Sequence, residues 1–193
     1  MTRFRTRLLS LVTVACAASL VLAPAQTSAQ SGAGTFAFLP LVAGDTGMPY
    51  QVFPTPSERA ELGRSIVAQV QANNGGTPVP DARVASVLAH AGIDQNTAYH
   101  ACEDAVCARK VGRALHADTV IFGSVTRALA MIWGSQVSLV DVATGRVQGP
   151  YELGYKGDFI TLETGVGTLA QVVSNRLIAD AAERRHARTM AHR

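Results

Sequence analysis

The most constraining feature of this chain is a change of hydrophobic period at Thr119. From there, residues 119–129 and 131–142 are rich in β-branched and aromatic residues in strand-like order, and a third such run, 146–155, follows the turn Ala143-Thr144-Gly145-Arg146. Strand-like runs joined by such short turns pair as an antiparallel meander. The third run is interrupted by Gly149-Pro150. Proline donates nothing to a ladder, so this run is expected to bulge or to lie at a sheet edge. Lys156-Gly157-Asp158 then turns into a closing helix with Leu162, Val166, Leu169, Val172, Val173, Arg176 and Leu177 on a mainly apolar face.

Upstream, Thr35-Phe36-Ala37-Phe38-Leu39-Pro40-Leu41-Val42 reads as a buried strand whose distal half Pro40 places at an edge or outside the sheet. Gly44-Asp45-Thr46-Gly47-Met48-Pro49 and Pro54-Thr55-Pro56 mark a loop of about a dozen residues, a length more often functional than shorter ones. Ser57, with Glu58 and Glu61, opens a helix with Leu62, Ile66, Val67 and Val70 on one face and Arg59, Arg64 and Gln69 on the other. Asn73-Asn74-Gly75-Gly76 ends it, and residues 77–80 make at most a short edge strand. Asp81 caps a second helix carrying Val84, Val87 and Leu88, and a third, short helix packs through Val106, Val111 and Leu115. No segment repeats. The fold class this predicts is α/β: a two-layer sandwich with a mixed sheet, an antiparallel meander in its C-terminal half, and helices on one or both faces.

The two ends of the chain carry its basic charge. Seventeen Lys and Arg face 14 Asp and Glu, giving a formal net charge of +3. Arg3, Arg5 and Arg7, the apolar run 8–22 and Ala23-Pro24-Ala25 have the layout of a secretory signal: basic, apolar, then small-x-small. A retained anchor is the other reading, but the run is about 15 residues where a span needs about 20. A lipidated Cys16 is disfavoured, because Thr13-Val14-Ala15 lacks the leucine expected three places before it and apolar sequence continues beyond. Removing 1–25 leaves 14 basic and 14 acidic groups, and residues 183–193 then hold four arginines against one acid. The body is therefore mildly acidic, without the Lys/Arg stripe interleaved with aromatics of a nucleic-acid binder. The expected organisation is a signal peptide at 1–25, a flexible leader at 26–34, one α/β domain at 35–180 and a basic, disordered tail at 181–193.

Two cysteines, Cys102 and Cys107, remain after processing. An even pair in an oxidising compartment reads as a disulfide. Five residues apart in a regular helix, their Cα atoms would be about 8–9 Å apart, beyond bridging range, so Cys102 must precede the helix and Cys107 lie in or near its first turn. Two alternatives use the same residues: a thiol-redox site, although Cys-x4-Cys is not the usual Cys-x-x-Cys, and a soft-metal site with His100, Cys102 and Cys107 as ligands. Elsewhere the chemistry is sparse. His90 and His116 lie in helical contexts, Ser124, Ser135 and Ser138 lack a nucleophile elbow, and Gly165-Val166-Gly167 sits inside a helical pattern rather than a phosphate loop. Asp141 fits turn chemistry, and the lone Trp133 fits a core or rim position. No set combines nucleophile, base and oxyanion donor. No catalytic residue, metal or cofactor is assigned.

Three stretches together carry a resemblance: Cys102-x4-Cys107; Val111-Gly112 through Ala117-Asp118-Thr119-Val120-Ile121-Phe122-Gly123; and Val137-Ser138-Leu139-Val140-Asp141-Val142-Ala143-Thr144-Gly145. Over about residues 35–178 the chain resembles secreted bacterial domains of unknown function and, in outline, the TolB amino-terminal and CsgG/LpoB-type envelope domains. Gly112 would then permit close helix packing, Asp118 turn helix into strand, Gly123 allow a tight sheet contact, and Asp141 with Gly145 set a hairpin register. The resemblance implies an envelope interaction module rather than an enzyme; together with the signal segment, the missing catalytic set and the hairpin-rich second half, this predicts a non-catalytic periplasmic or secreted domain that binds another envelope component, through the 43–56 loop or a sheet edge, with no stable membrane span after processing. The alternatives are the thiol or metal accessory role and a small-ligand pocket under the long loop. Intact-mass measurement of the exported chain should find its N-terminus at Gln26, with Gln30 as the second position; a mature chain retaining residues 8–22 would refute the cleavable signal.

Overall fold

The structure, a computed structural model, describes residues 33–49, 51–97, 101–129 and 131–191. The expected signal peptide, the expected leader up to residue 32, and His100 lie outside the described residues.

The strand β4 (Thr119–Ala128) organises the rest. Side chains alternate along a strand, and here both sets are apolar: Val120 and Phe122 enter one core, Ile121 and Val125 another. Such a strand needs cover on both faces and partners on both sides. β1 (Thr35–Phe38) and β2 (Val42–Ala43) run parallel to it, with Ala37 beside Val120 and Val42 beside Ser124. The break between them falls at Pro40, which has no N–H for the ladder. β3 (Thr77–Pro78) adds a short parallel edge outside β1. On the other side, β5 (Ile132–Asp141) and β6 (Val147–Lys156) complete the antiparallel meander, giving the order β3-β1-β4-β5-β6 with β2 against β4. The sheet is mixed and open. β6 is an edge strand, and its register shifts by one residue where Gly149-Pro150, a cis peptide, stands opposite residues 137–139 of β5.

Helices lie on both faces, so the sheet is the middle of three layers. α1 (Pro56–Ala72) and α4 (Phe159–Ala191) cover Phe36, Ile121, Trp133, Val137 and Leu139. α2 (Asp81–His90) and α3 (Ala105–Leu115) cover Ala37, Leu39, Val120, Phe122 and Val140. α1 starts before Ser57: Thr55 is its N-cap, and Thr55 with Glu58 forms a reciprocal capping box. Asp81 is the first residue of α2 rather than its cap. Val106 does not pack the third helix; it is 81% exposed, because the apolar stripe of α3 runs through Ala108, Val111 and Leu115. Val172 of α4 is also exposed.

Cys102 and Cys107 are joined, with Cα atoms 5.5 Å apart. Cys102 lies two residues before the N-cap Asp104, whose carboxylate accepts from Cys107 N at 2.7 Å. The bond therefore ties the incoming loop to the first turn of α3. Gly112 leaves no room for a side chain, since a Cβ there would lie 2.5 Å from Val120 and 2.6 Å from Val142. A Cβ on Gly123 would lie 2.0 Å from the Gln136 carbonyl of β5.

The basal end corrects two expectations. The leader is ordered from Ala33, which is buried, and Asp118 accepts from Thr35 N at 2.8 Å. The segment expected as a disordered tail is helical as far as Ala191, and near its start Glu183 pairs with Arg146 at 2.9 Å. Buried Asp180 pairs with Arg146 at 2.8 Å and with Arg176 at 3.3 Å, and it accepts from Gln148 of β6. Arg184 reaches Asp141 at 3.0 Å. Asp141 also accepts the Thr144 N–H at 2.7 Å and the Thr144 hydroxyl at 2.8 Å, closing the turn in which Gly145 takes a positive φ of 80°. Burial alone would raise the Asp141 pKa, but the bonds from Thr144 and Arg184 outweigh it and hold the carboxyl below its ordinary value of 3.8.

Two stability predictions follow from these contacts. Replacing both cysteines with alanine should lower stability by about 2 kcal/mol, the loop-closure entropy of so short a ring, and the melting temperature by about 4–8 °C. Asp141→Asn should cost about 2 kcal/mol near neutral pH, because Arg184 and Thr144 lose an ionised acceptor. A depressed folded-state pKa means that this contribution is complete above the unfolded aspartate pKa of about 4 and is lost as the pH falls through the folded value. Urea titrations from pH 7 downward should therefore show the gap between wild type and Asp141→Asn closing only in the acid range; a gap that is constant with pH would refute the assignment.

Candidate functional site

The 43–56 loop, the β4–β5 hairpin tip and the start of α4 converge at the end of the sheet opposite Asp141. The loop is braced by its own side chains. Gln51 accepts from Thr46 N at 2.8 Å and donates to the Gly44 carbonyl at 2.6 Å, while Gly47 N donates to Asp45 at 2.7 Å. It is also sewn to β4, through Gly44 N to the Val125 carbonyl at 2.8 Å, Val52 N to the Arg127 carbonyl at 3.3 Å, and a bridge between Gln51 and Ala128. Arg127 links the pieces, with its guanidinium 4.5 Å from the Trp133 ring and paired with Glu58 of α1 at 3.4 Å. Trp133 is fully buried in the core, and its ring lies 5.5 Å from that of Phe159 at the start of α4. The α4 entry is fixed to the hairpin by Gly157 N donating to the Met131 carbonyl at 2.8 Å.

On this braced frame sits a group of large apolar side chains that the core does not use. Met48, Val52 and Phe53 of the loop, Leu129, Met131 and Ile132 of the hairpin, and Ile160 of α4 are all exposed, Phe53 by 58% and Ile160 by 73%. Leu129 sits at φ 59°, in the left-handed region that costs a non-glycine residue of order 1 kcal/mol and recurs at functional sites. A concentration of apolar surface at one end of a small domain marks an interaction site more often than chance exposure does.

Beneath the loop is a cavity of about 300 Å³, lined by Phe53, Pro54, Arg59, Asn96 and Glu103 among others. Arg59 was expected on the polar face of the first helix, yet it is only 6% exposed. Its flank of α1 faces the link after β1 and the turn after α2, where it donates to the Leu41 carbonyl at 2.8 Å, the Gln95 carbonyl at 2.9 Å and Asn96 Oδ1 at 2.9 Å. Burial lowers its pKa, opposed by the nearby charge of Asp94. Arg59 is thus a clamp that closes the base of the cavity, and no periodicity argument could have found it. A second groove, of about 700 Å³, runs between α2 and α3 past Val87, His90, Val106 and Lys110.

The other sequence candidates do not come together. His90 Nδ1 lies 2.7 Å from the Ser86 carbonyl at the exposed end of α2, and His116 is the left-handed C-cap of α3. Ser124 accepts from Gln136 at 3.0 Å, while the hydroxyl of buried Ser135 has no partner among the described residues. Both cysteine sulfurs are occupied by their mutual bond, and the described residues contain no group of three or more His, Cys, Asp or Glu able to hold a metal. Asp118, Asp141 and Gly145 belong to the basal end, remote from the apolar surface. No helix among the described residues is long and apolar enough to cross a membrane.

No protein-family model and no curated protein matches the chain. Solved structures do. Lipoprotein GNA1162 from Neisseria meningitidis superposes with a TM-score of 0.50 at 15% identity, over 74% of this chain and 97% of that one. The LpoB C-terminal domain from Salmonella enterica superposes with a TM-score of 0.48 at 15% identity, over 65% of this chain and 84% of that one. The chain is thus similar in fold to a bacterial lipoprotein.

Proposed function

We propose that this chain is an exported, non-catalytic domain of the bacterial envelope that binds another envelope protein through its apical apolar surface. The observation that carries the proposal is the exposed set Met48, Phe53, Leu129, Met131, Ile132 and Ile160, held on short, internally braced segments at one end of the sheet. Three further features support it. The N-terminal segment has the layout of an export signal, the disulfide suits an oxidising compartment, and the fold is similar to that of a lipoprotein. A periplasmic or secreted location is part of the same reading.

A photo-crosslinking residue placed at Phe53 or at Met131 in the exporting cell should trap one and the same envelope protein, and one placed at Arg83 on α2 should not. Phe53→Asp and Met131→Asp should each weaken capture by about ten- to hundred-fold, the affinity equivalent of removing one large apolar side chain from a buried contact. Equal trapping from Arg83, or adducts with lipid alone, would overturn the proposal.

A further inference from the structure

We infer that two copies of this chain pair through the outer edge of β6, antiparallel about a two-fold axis at Gly154. The phase of the inner ladder decides which groups are available. Asp141 N donates to the Arg146 carbonyl, and Gly157 N donates to the Met131 carbonyl. With the register of Val137 to Tyr151, Ser135 to Leu153 and Trp133 to Tyr155, the second of these bonds makes the odd-numbered residues of β6 from Tyr151 onward the ones that exchange hydrogen bonds with β5; the first, at even-numbered Arg146, lies beyond the bulge, where the parity changes. The N–H and C=O groups of Glu152, Gly154 and Lys156 therefore point away from the sheet, and no described strand pairs with them.

The edge is open in one half only. Toward Val147, the bulge and Pro150, which lacks an N–H, blunt it in the manner of protected edges. Toward Lys156 it is regular, and its side chains complement themselves. With Gly154 opposite Gly154 of a second copy, Glu152 faces Lys156 of that copy and Lys156 faces its Glu152, each in a bond-exchanging pair. The neighbouring two-fold registers fail. Centring on Glu152 or on Lys156 sets like charges opposite each other; centring on Tyr155 sets Glu152 against Asp158; centring on Leu153 sets Lys156 against Pro150. On the other side of the sheet, the same register stacks half-buried Leu153 on Tyr155 of the second copy. Val172 of α4 lies one turn from Arg176, which bonds Gln148 of β6, so this exposed valine flanks the same edge. The polar and apolar sides of the edge thus both point to a second copy as its occupant.

The test is the oligomeric state of the exported chain by sedimentation velocity. Wild type should be a dimer, Glu152→Lys and Lys156→Glu should each be monomeric, and both the double variant and an equimolar mixture of the two single variants should dimerise again. Gly154→Cys supplies an independent readout. A side chain there meets no atom within 4 Å in one copy, and bond-exchanging residues stand about 5.5 Å apart between Cα atoms, within disulfide range. Mild oxidation should link this variant to itself, whereas Glu152→Cys, displaced from its own counterpart by four residues, should stay unlinked. A monomeric wild type, single charge reversals that stay dimeric, or a dimer that Gly154→Cys does not link would each overturn the inference.

Discussion

The structure depends on β4 being apolar on both faces. A strand with one wet face would be satisfied by a hairpin and one helical layer. β4 presents Val120 and Phe122 on one side and Ile121 and Val125 on the other, so each face needs its own cover. That requirement explains the chain order. The segment before β4 supplies two parallel partners, β1 and β2, and three helices, with α1 placed on one face and α2 and α3 on the other. The segment after it supplies one antiparallel partner, β5, with β6 beyond it, and α4. Gly112 and Gly123 fit this scheme because α3 and β5 must approach β4 more closely than a side chain would allow.

The two ends of the sheet are finished by opposite chemistry. At the base, ionised groups neutralise one another: Asp141 with Arg184, and Asp180 with Arg146 and Arg176. One of the four arginines that composition assigns to the C-terminus, Arg184, is thereby paired within the fold, and its bond to Asp141 holds α4 to the sheet beyond Ala181, the last buried residue of the apolar stripe. At the apex, Arg127 stacks on Trp133 and pairs with Glu58, but the side chains around it are apolar and exposed. Burial follows the same division: the covered part of α4 ends at Ala181, near the base, while its first turn leaves Ile160 in solvent.

Most of this was legible where one residue type has one physical use. The period-two runs, the Ala143-Thr144-Gly145 turn, the bulge at Gly149-Pro150 and the position of Cys102 ahead of a helix all follow from backbone rules that tertiary context rarely overrides. The start of α1 was legible too, since Thr55-Pro56-Ser57-Glu58 spells a capping box with proline at the first helical position, though Ser57 drew the boundary instead. Arg59 and the tail were not legible, because their partners lie elsewhere in the chain. Arg59 is buried only because residues 41, 95 and 96 place three acceptors around it, and Arg184 is part of the fold only because Asp141 stands beneath it. The misplacement of Val106 has a related cause: an eleven-residue helix shows too few turns for its periodicity to separate the stripe from its border.

The rigidity of the apex bears on what such a surface can do. An apolar loop that is free to move must lose conformational entropy when it docks, at about 0.5–1.5 kcal/mol for each side chain immobilised, with the backbone adding more. Here much of that ordering accompanies folding of the domain itself. Gln51 holds the loop to its own backbone and Ala128 bridges it to β4, while Gly157 fixes the entry of α4 against Met131. The exposed methionines add adaptability on top of that frame, since an unbranched thioether fits many shapes without moving the backbone beneath it. A fixed scaffold carrying adjustable apolar side chains suits recognition of an apolar protein surface, where preorganisation retains affinity that a mobile loop would lose.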